Sequence, residues 1–92
     1  MSYDEQAISE KLSNNPEWQL IEGHLERDFE FEDFKQAFAF MTEVAAIAEV
    51  QNHHPDWYNG YNKVLITVSS HDAGGITDRD FAFIEAVDDL IA

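Results

Sequence analysis

The sequence predicts an α+β domain in the order α-β-β-α-β-β-α, a four-stranded antiparallel sheet with its helices packed on one face. Three observations predict it. Apolar residues recur every three or four positions in three segments and every second position in the stretches between them. The strand-like stretches come in pairs joined by short turn sequences, which makes hairpins and hence antiparallel pairing, not the long crossovers that parallel strands need. At 92 residues, 45% hydrophobic and 13% aromatic, the chain has apolar side chain enough for one core and too little length for two, so residues 1–92 read as one domain.

From Asp4 to Ser13, Ala7, Ile8 and Leu12 share a helical face, and Asn14-Asn15-Pro16 stops the helix. The period changes at Trp18. Trp18 and Leu20 alternate with polar partners and Glu22-Gly23 supplies a turn. Leu25, Phe29 and Phe31 then alternate with Glu26, Asp28, Glu30 and Glu32, a hairpin with one wet acidic face. The longest helix runs from Glu32 to Gln51. Phe34, Phe38, Met41, Ala45 and Ala48 recur at spacings of 3 and 4, and Phe40, Val44 and Ile47 widen the stripe. Such a stripe reads as core, and its width predicts cover on more than one side, by the sheet and by a second subunit. Pro55 ends the segment, since the residue before proline is pushed out of the α region.

From Trp57 to Ser70 the strand signals return, with Val64, Ile66 and Val68 on one face, Leu65, Thr67 and Ser69 on the other, and Tyr61-Asn62-Lys63 as the turn. The same parity sends Ser69 and His71 off the strand on one side. Asp72-Ala73-Gly74-Gly75 reads as a flexible connection, and Thr77 followed three residues later by Asp80 resembles a capping box. Phe83, Ile84, Val87, Leu90 and Ile91 give the last helix its apolar stripe.

The charge balance of 5 basic against 19 acidic residues, a net −14, repels phosphate backbones and anionic lipid, so direct nucleic-acid or membrane binding is not expected. The absence of cysteine excludes a disulfide framework, a thiolate nucleophile and a cysteine zinc site, and fits a reducing cytosol. The N-terminus lacks the basic and apolar regions of a signal peptide, and no apolar run approaches the roughly 20 residues of a bilayer span. A soluble, cytoplasmic protein is expected. A domain this small buries a modest share of its surface, which makes self-association, as a homodimer or homotetramer, a natural source of stability.

Three of the 4 histidines fall between positions 53 and 71, and His53-His54-Pro55 sits in the loop between the long helix and the next strand, where functional side chains collect. Imidazoles titrate near neutral pH, so a cluster both donates and accepts protons. His71, at the end of the following hairpin, reaches the same place if that strand end lies beside the helix terminus. A metal reading competes, with three imidazoles plus Asp72 or Asp80 as ligands, but the separations match no helical metal motif. His24, in the first hairpin turn, reads as a surface residue.

The stretch from Glu49 through His53-His54-Pro55-Asp56-Trp57 to Tyr61-Asn62-Lys63-Val64, then Ile66-Thr67-Val68-Ser69-Ser70-His71, then Gly75-Ile76-Thr77 and Asp80, strongly resembles the pterin-4a-carbinolamine dehydratases. Trp18 and the Phe34, Phe38, Phe40-Met41 helix extend the resemblance over nearly the whole chain. It implies an enzyme, a hydro-lyase that dehydrates 4a-hydroxytetrahydropterin to quinonoid dihydropterin in tetrahydrobiopterin recycling, with no metal or organic cofactor. It implies His53, His54 and His71 as acid-base and pterin-binding residues, and Asn52, Ser69, Ser70, His71 and Asp72 as substrate contacts. Asp80 is implied as an orienting group or a helix cap, and Trp57 as a wall of the ring site or a core residue. The chemistry suits the residue types, since losing water from a carbinolamine means protonating a poor leaving group while a ring N–H gives up its proton. We expect His54 to act on the hydroxyl, with His71 and His53 handling the ring proton and the substrate's position. The alternative is a protein-interaction module, since animal members of the family also serve as dimerisation cofactors for a homeodomain transcription factor.

Overall fold

Local sequence sets the element boundaries in the computed structural model, which describes residues 2–92. Asp4 caps α1 (Glu5–Leu12), its carboxylate accepting from the Ala7 N–H at 2.9 Å. Asp33 caps α2 (Phe34–Gln51) in the same way, accepting from the Gln36 N–H at 2.9 Å. The helix therefore begins two residues after Glu32, because a cap needs the extended backbone that Asp33 adopts, with φ −156°. Thr77 caps α3 (Asp78–Leu90), and the predicted capping box with Asp80 is present.

Strands β1 (Gln19–Ile21), β2 (His24–Glu30), β3 (Asp56–Gly60) and β4 (Lys63–Val68) form one antiparallel sheet in the order β1-β2-β4-β3. Glu22 and Gly23, at φ 49° and 85°, make the two-residue left-handed turn whose twist matches a hairpin. Leu25, Arg27 and Phe29 stand opposite Val68, Ile66 and Val64, while Glu26, Asp28 and Glu30 stand opposite Thr67, Leu65 and Lys63. The first set buries Leu25 and Phe29 with Val64, Ile66 and Val68; the second is the wet acidic face. The segment after β4 is more ordered than a flexible connection. His71–Ala73 forms a single 3-10 turn, and the Ser70 N–H donates to the Gly75 carbonyl at 2.8 Å to close it.

The long helix differs from expectation in phase. Its buried face is Ala37, Phe40, Val44 and Ala48, with Met41 and Ile47 partly covered, and Ala45 is exposed. Phe34 and Phe38, expected in the core, are 46% and 53% exposed and stack on each other at 5.6 Å. An apolar arc this wide has several possible buried faces, and Phe40, packed against Phe29 and Phe31 at 4.8 and 5.0 Å, sets the one used. Ile91 likewise lies past the end of α3 and is 41% exposed. No helix among the described residues is long and apolar enough to cross a membrane.

The far end of α3 is tied down by Asp88. Its carboxylate accepts from Asn15 Nδ2 at 2.7 Å, Trp18 Nε1 at 2.8 Å and an Arg27 guanidinium nitrogen at 2.8 Å. Three parts of the chain, the α1–β1 connection, β2 and α3, meet on one side chain. Asp88→Ala strands these donors, and we expect a loss of about 2 kcal/mol, a fall in Tm of roughly 8–16 °C for a domain of this size. A thermal melt checks it; an unchanged Tm would show that the clamp carries no stability.

Candidate active site

The site is built where α2 ends. Asn52 takes the left-handed conformation, φ 50° and ψ 45°, and the His53 N–H donates back to the Ala48 carbonyl at 3.0 Å. This helix stop sends consecutive histidines in opposite directions. His53 turns inward to 6% exposure, whereas the His54 side chain is 56% exposed.

Inside, His53 Nε2 donates to Asp80 Oδ1 at 2.6 Å, and its ring stands edge-on to Phe83 at 6.3 Å. Asp80 is fully buried, and its other oxygen accepts from Ser70 Oγ at 2.8 Å and the Thr77 N–H at 2.9 Å. Thr77 Oγ1 lies 2.8 Å from Ser70 Oγ. Asp80 thus caps its helix and orients a histidine at once, one oxygen for each task. Among the described residues no buried side-chain nitrogen or oxygen lacks a partner. Outside, His54 Nε2 donates to Glu49 Oε2 at 2.6 Å. Arg79 completes the frame, donating to the Asn52 carbonyl at 3.1 Å and to Asp72 Oδ2 at 3.4 Å.

The first turn of α3 therefore draws Asn52, His53, Ser70 and Asp72 together, through Arg79 on the surface and Asp80 beneath. Ser69, just after β4, and His71, the first residue of the 3-10 turn, face a different cavity. They line a cavity of about 300 Å³ with Gly74 and Gly75, and its opposite wall is Glu22, Gly23 and His24. Ser70 and Asp72 line a second cavity of about 510 Å³ with Thr77, Asp78, Arg79 and Tyr3. A hydrogen bond to Asp78 raises the Tyr3 phenol above the ordinary tyrosine pKa, with burial adding to it. His53 and His54 line neither of these two cavities. Trp57 is 38% exposed on the outer strand β3, opposite Ile66, and is not core. No group of three or more histidine or carboxylate side chains among the described residues is placed to hold a metal ion.

Sequence reasoning missed Glu49 and Arg79. Glu49 precedes His54 by five positions across a helix end, a spacing that reads as one more solvated carboxylate, and Arg79 joins two segments far apart in sequence. It also passed over His24, which the fold brings to the His71 cavity.

The family described as Pterin 4 alpha carbinolamine dehydratase matches residues 1–90. A Rhodospirillum rubrum protein provisionally named a pterin-4-alpha-carbinolamine dehydratase is 44% identical over 90 residues, covering 96% of this chain and 94% of that one. A Synechococcus sp. protein of the same provisional name is 48% identical over 86 residues, covering 92% of each. Among solved structures, a transcriptional coactivator/pterin dehydratase from Brucella melitensis superposes with a TM-score of 0.95 at 32% identity over 100% of both chains. A pterin dehydratase-like protein identified as a RuBisCO assembly factor in the alpha-carboxysome gives 0.65 at 30% identity, over 79% of this chain and 84% of that one.

Asp80→Ala would leave the donors of His53, Ser70 and Thr77 facing an apolar gap. We expect a loss of about 3 kcal/mol, one cap plus buried donors left unpaired, measured by urea denaturation. A variant as stable as the parent would show that the buried cluster does not hold these segments together.

Proposed function

This chain belongs to the pterin 4 alpha carbinolamine dehydratase family, and from that premise we propose that it dehydrates 4a-hydroxytetrahydropterin to quinonoid dihydropterin. The observation that carries the reading is the pair of adjacent imidazoles, each held by its own carboxylate, His53 by buried Asp80 and His54 by open Glu49. The pairing separates two tasks. His53 has one ring nitrogen committed to Asp80 and little exposure, which suits fixing the site and the substrate's position. His54, held by Glu49 through Nε2 alone, and His71 are exposed and open to a ligand.

In the proposed reaction the C4a–O bond breaks as His54 protonates the departing hydroxyl, which leaves as water. The ring N–H proton passes to His71, and its electron pair forms the new C=N bond. One proton is given and one taken, so the step needs no oxidant or reductant, and the enzyme is restored when His71 releases its proton to solvent and His54 takes one up. Such a dehydratase acts after a pterin-dependent hydroxylase has spent its cofactor, in tetrahydrobiopterin recycling in the cytoplasm.

A second reading rests on a different surface. The stacked Phe34–Phe38 pair leaves an apolar face of α2 uncovered, and one neighbour is described as a coactivator and another as an assembly factor. This face suits self-association into a homodimer or homotetramer. Light scattering at micromolar concentration should give a mass above the 10.6 kDa of one chain; a 10.6 kDa particle would remove the reading.

The direct test is turnover of freshly prepared 4a-hydroxytetrahydropterin by purified protein, before and after chelator treatment. Activity should survive chelation. His54→Ala and His71→Ala should each lower the rate by about 10²–10⁴, the scale of a lost general acid or base, whereas His53→Ala should mainly raise KM. Near-normal rates in both of the first two variants, with intact folds, would take those residues out of the mechanism. Loss of activity on chelation, restored by zinc, would replace it with a metal reaction.

A further inference from the structure

We infer that His24 is a substrate-binding residue, facing His71 across their shared cavity and accepting a hydrogen bond from the pterin ring. The inference rests on the dehydratase reading and adds to it a residue from the other half of the chain.

The placement follows from strand register. Leu25 pairs with Val68, both on the covered face of the sheet. His24 and Ser69, one step further along each strand, therefore lie side by side on the open face. Beyond Ser69 the chain folds back through the His71–Ala73 turn, closed by Ser70 and Gly75. On the other side the Glu22-Gly23 turn delivers His24 as the first residue of β2. Two turns from distant parts of the sequence thus border a half-open cavity of about 300 Å³ lined by an imidazole from each. That is the lower end of the ~300–1,000 Å³ range of small-molecule sites.

Local chemistry decides what His24 offers. Glu26, two residues on and on the same strand face, accepts from His24 Nε2 at 3.3 Å. A neutral ring that gives Nε2–H to a carboxylate keeps Nδ1 as an acceptor. A pterin carries N–H donors on its pyrimidine ring and exocyclic amine, so it matches an acceptor on the wall opposite the proton-transferring His71. The His24 side chain is 31% exposed, neither buried as core nor free in solvent.

The test uses the full chain and four proteins, the parent, His24→Ala, His24→Asn and His71→Ala, with melts to verify each fold. Turnover of 4a-hydroxytetrahydropterin gives kcat and KM, and quenching of protein fluorescence by 7,8-dihydropterin gives Kd. His24→Ala should raise KM and Kd about three- to tenfold, the worth of one hydrogen bond to a ligand, with kcat within about twofold of the parent. His24→Asn, which keeps a side-chain acceptor at the reach of Nδ1, should recover most of the loss. Unchanged KM and Kd in His24→Ala, while His71→Ala loses turnover, would overturn the role of His24 and leave the dehydratase reading intact. A fall in kcat alone would also overturn it. A parent protein that neither turns over the carbinolamine nor binds dihydropterin would overturn both.

Discussion

Asp80 is fully buried, and a carboxylate taken out of water is tolerable only where donors replace the water it has lost. Here the replacements come from three places, His53 after α2, Ser70 after β4, and the Thr77 backbone at the start of α3. The carboxylate therefore cannot be satisfied unless the end of α2, the end of β4 and the first turn of α3 meet. Such a cluster adds little net stability when complete, because desolvation offsets most of the attraction, yet breaking it is expensive. Its consequence is geometric: the segments that carry His53, His54 and His71 are fixed relative to one another by a group that itself has no exposure.

The same helix is anchored at its other end by Asp88, which collects Asn15, Trp18 and Arg27. Between the two carboxylates, Phe83, Ile84 and Val87 are fully buried against the sheet and α2. α3 thus works as a brace whose polar ends select its position and whose apolar middle supplies the burial. With a net charge of −14, the chain keeps most of its acids on the surface. The exception is Asp80, the acid with no exposure.

The element order, the antiparallel sheet, the Glu22-Gly23 turn and the capping box were legible in the sequence because each is written in a window of a few residues. Alternation placed Val64, Ile66 and Val68 inward correctly, since a period of 2 allows only two faces and one of them is polar. The long helix was harder. With apolar residues on several sides its period reveals a helix but not which arc is buried, so the exposure of Phe34 and Phe38 is not written in it. Asp80 was legible as a possible cap or orienting group; that it does both depends on where His53 arrives, which the Asn52 helix stop decides. The meeting of His24 with Ser69 and His71 lies furthest from sequence reasoning, because it needs the β2–β4 pairing, a contact between strands about 40 residues apart.

In the proposed reaction His53 acts through Asp80. A double-mutant cycle on kcat/KM for 4a-hydroxytetrahydropterin measures this dependence, comparing His53→Ala, Asp80→Asn and the double variant with the parent. Either substitution alone removes the hydrogen bond between the imidazole and a carboxylate, so the double variant should have the same kcat/KM as Asp80→Asn by itself. Losses that multiply, as they do for independent sites, would contradict it.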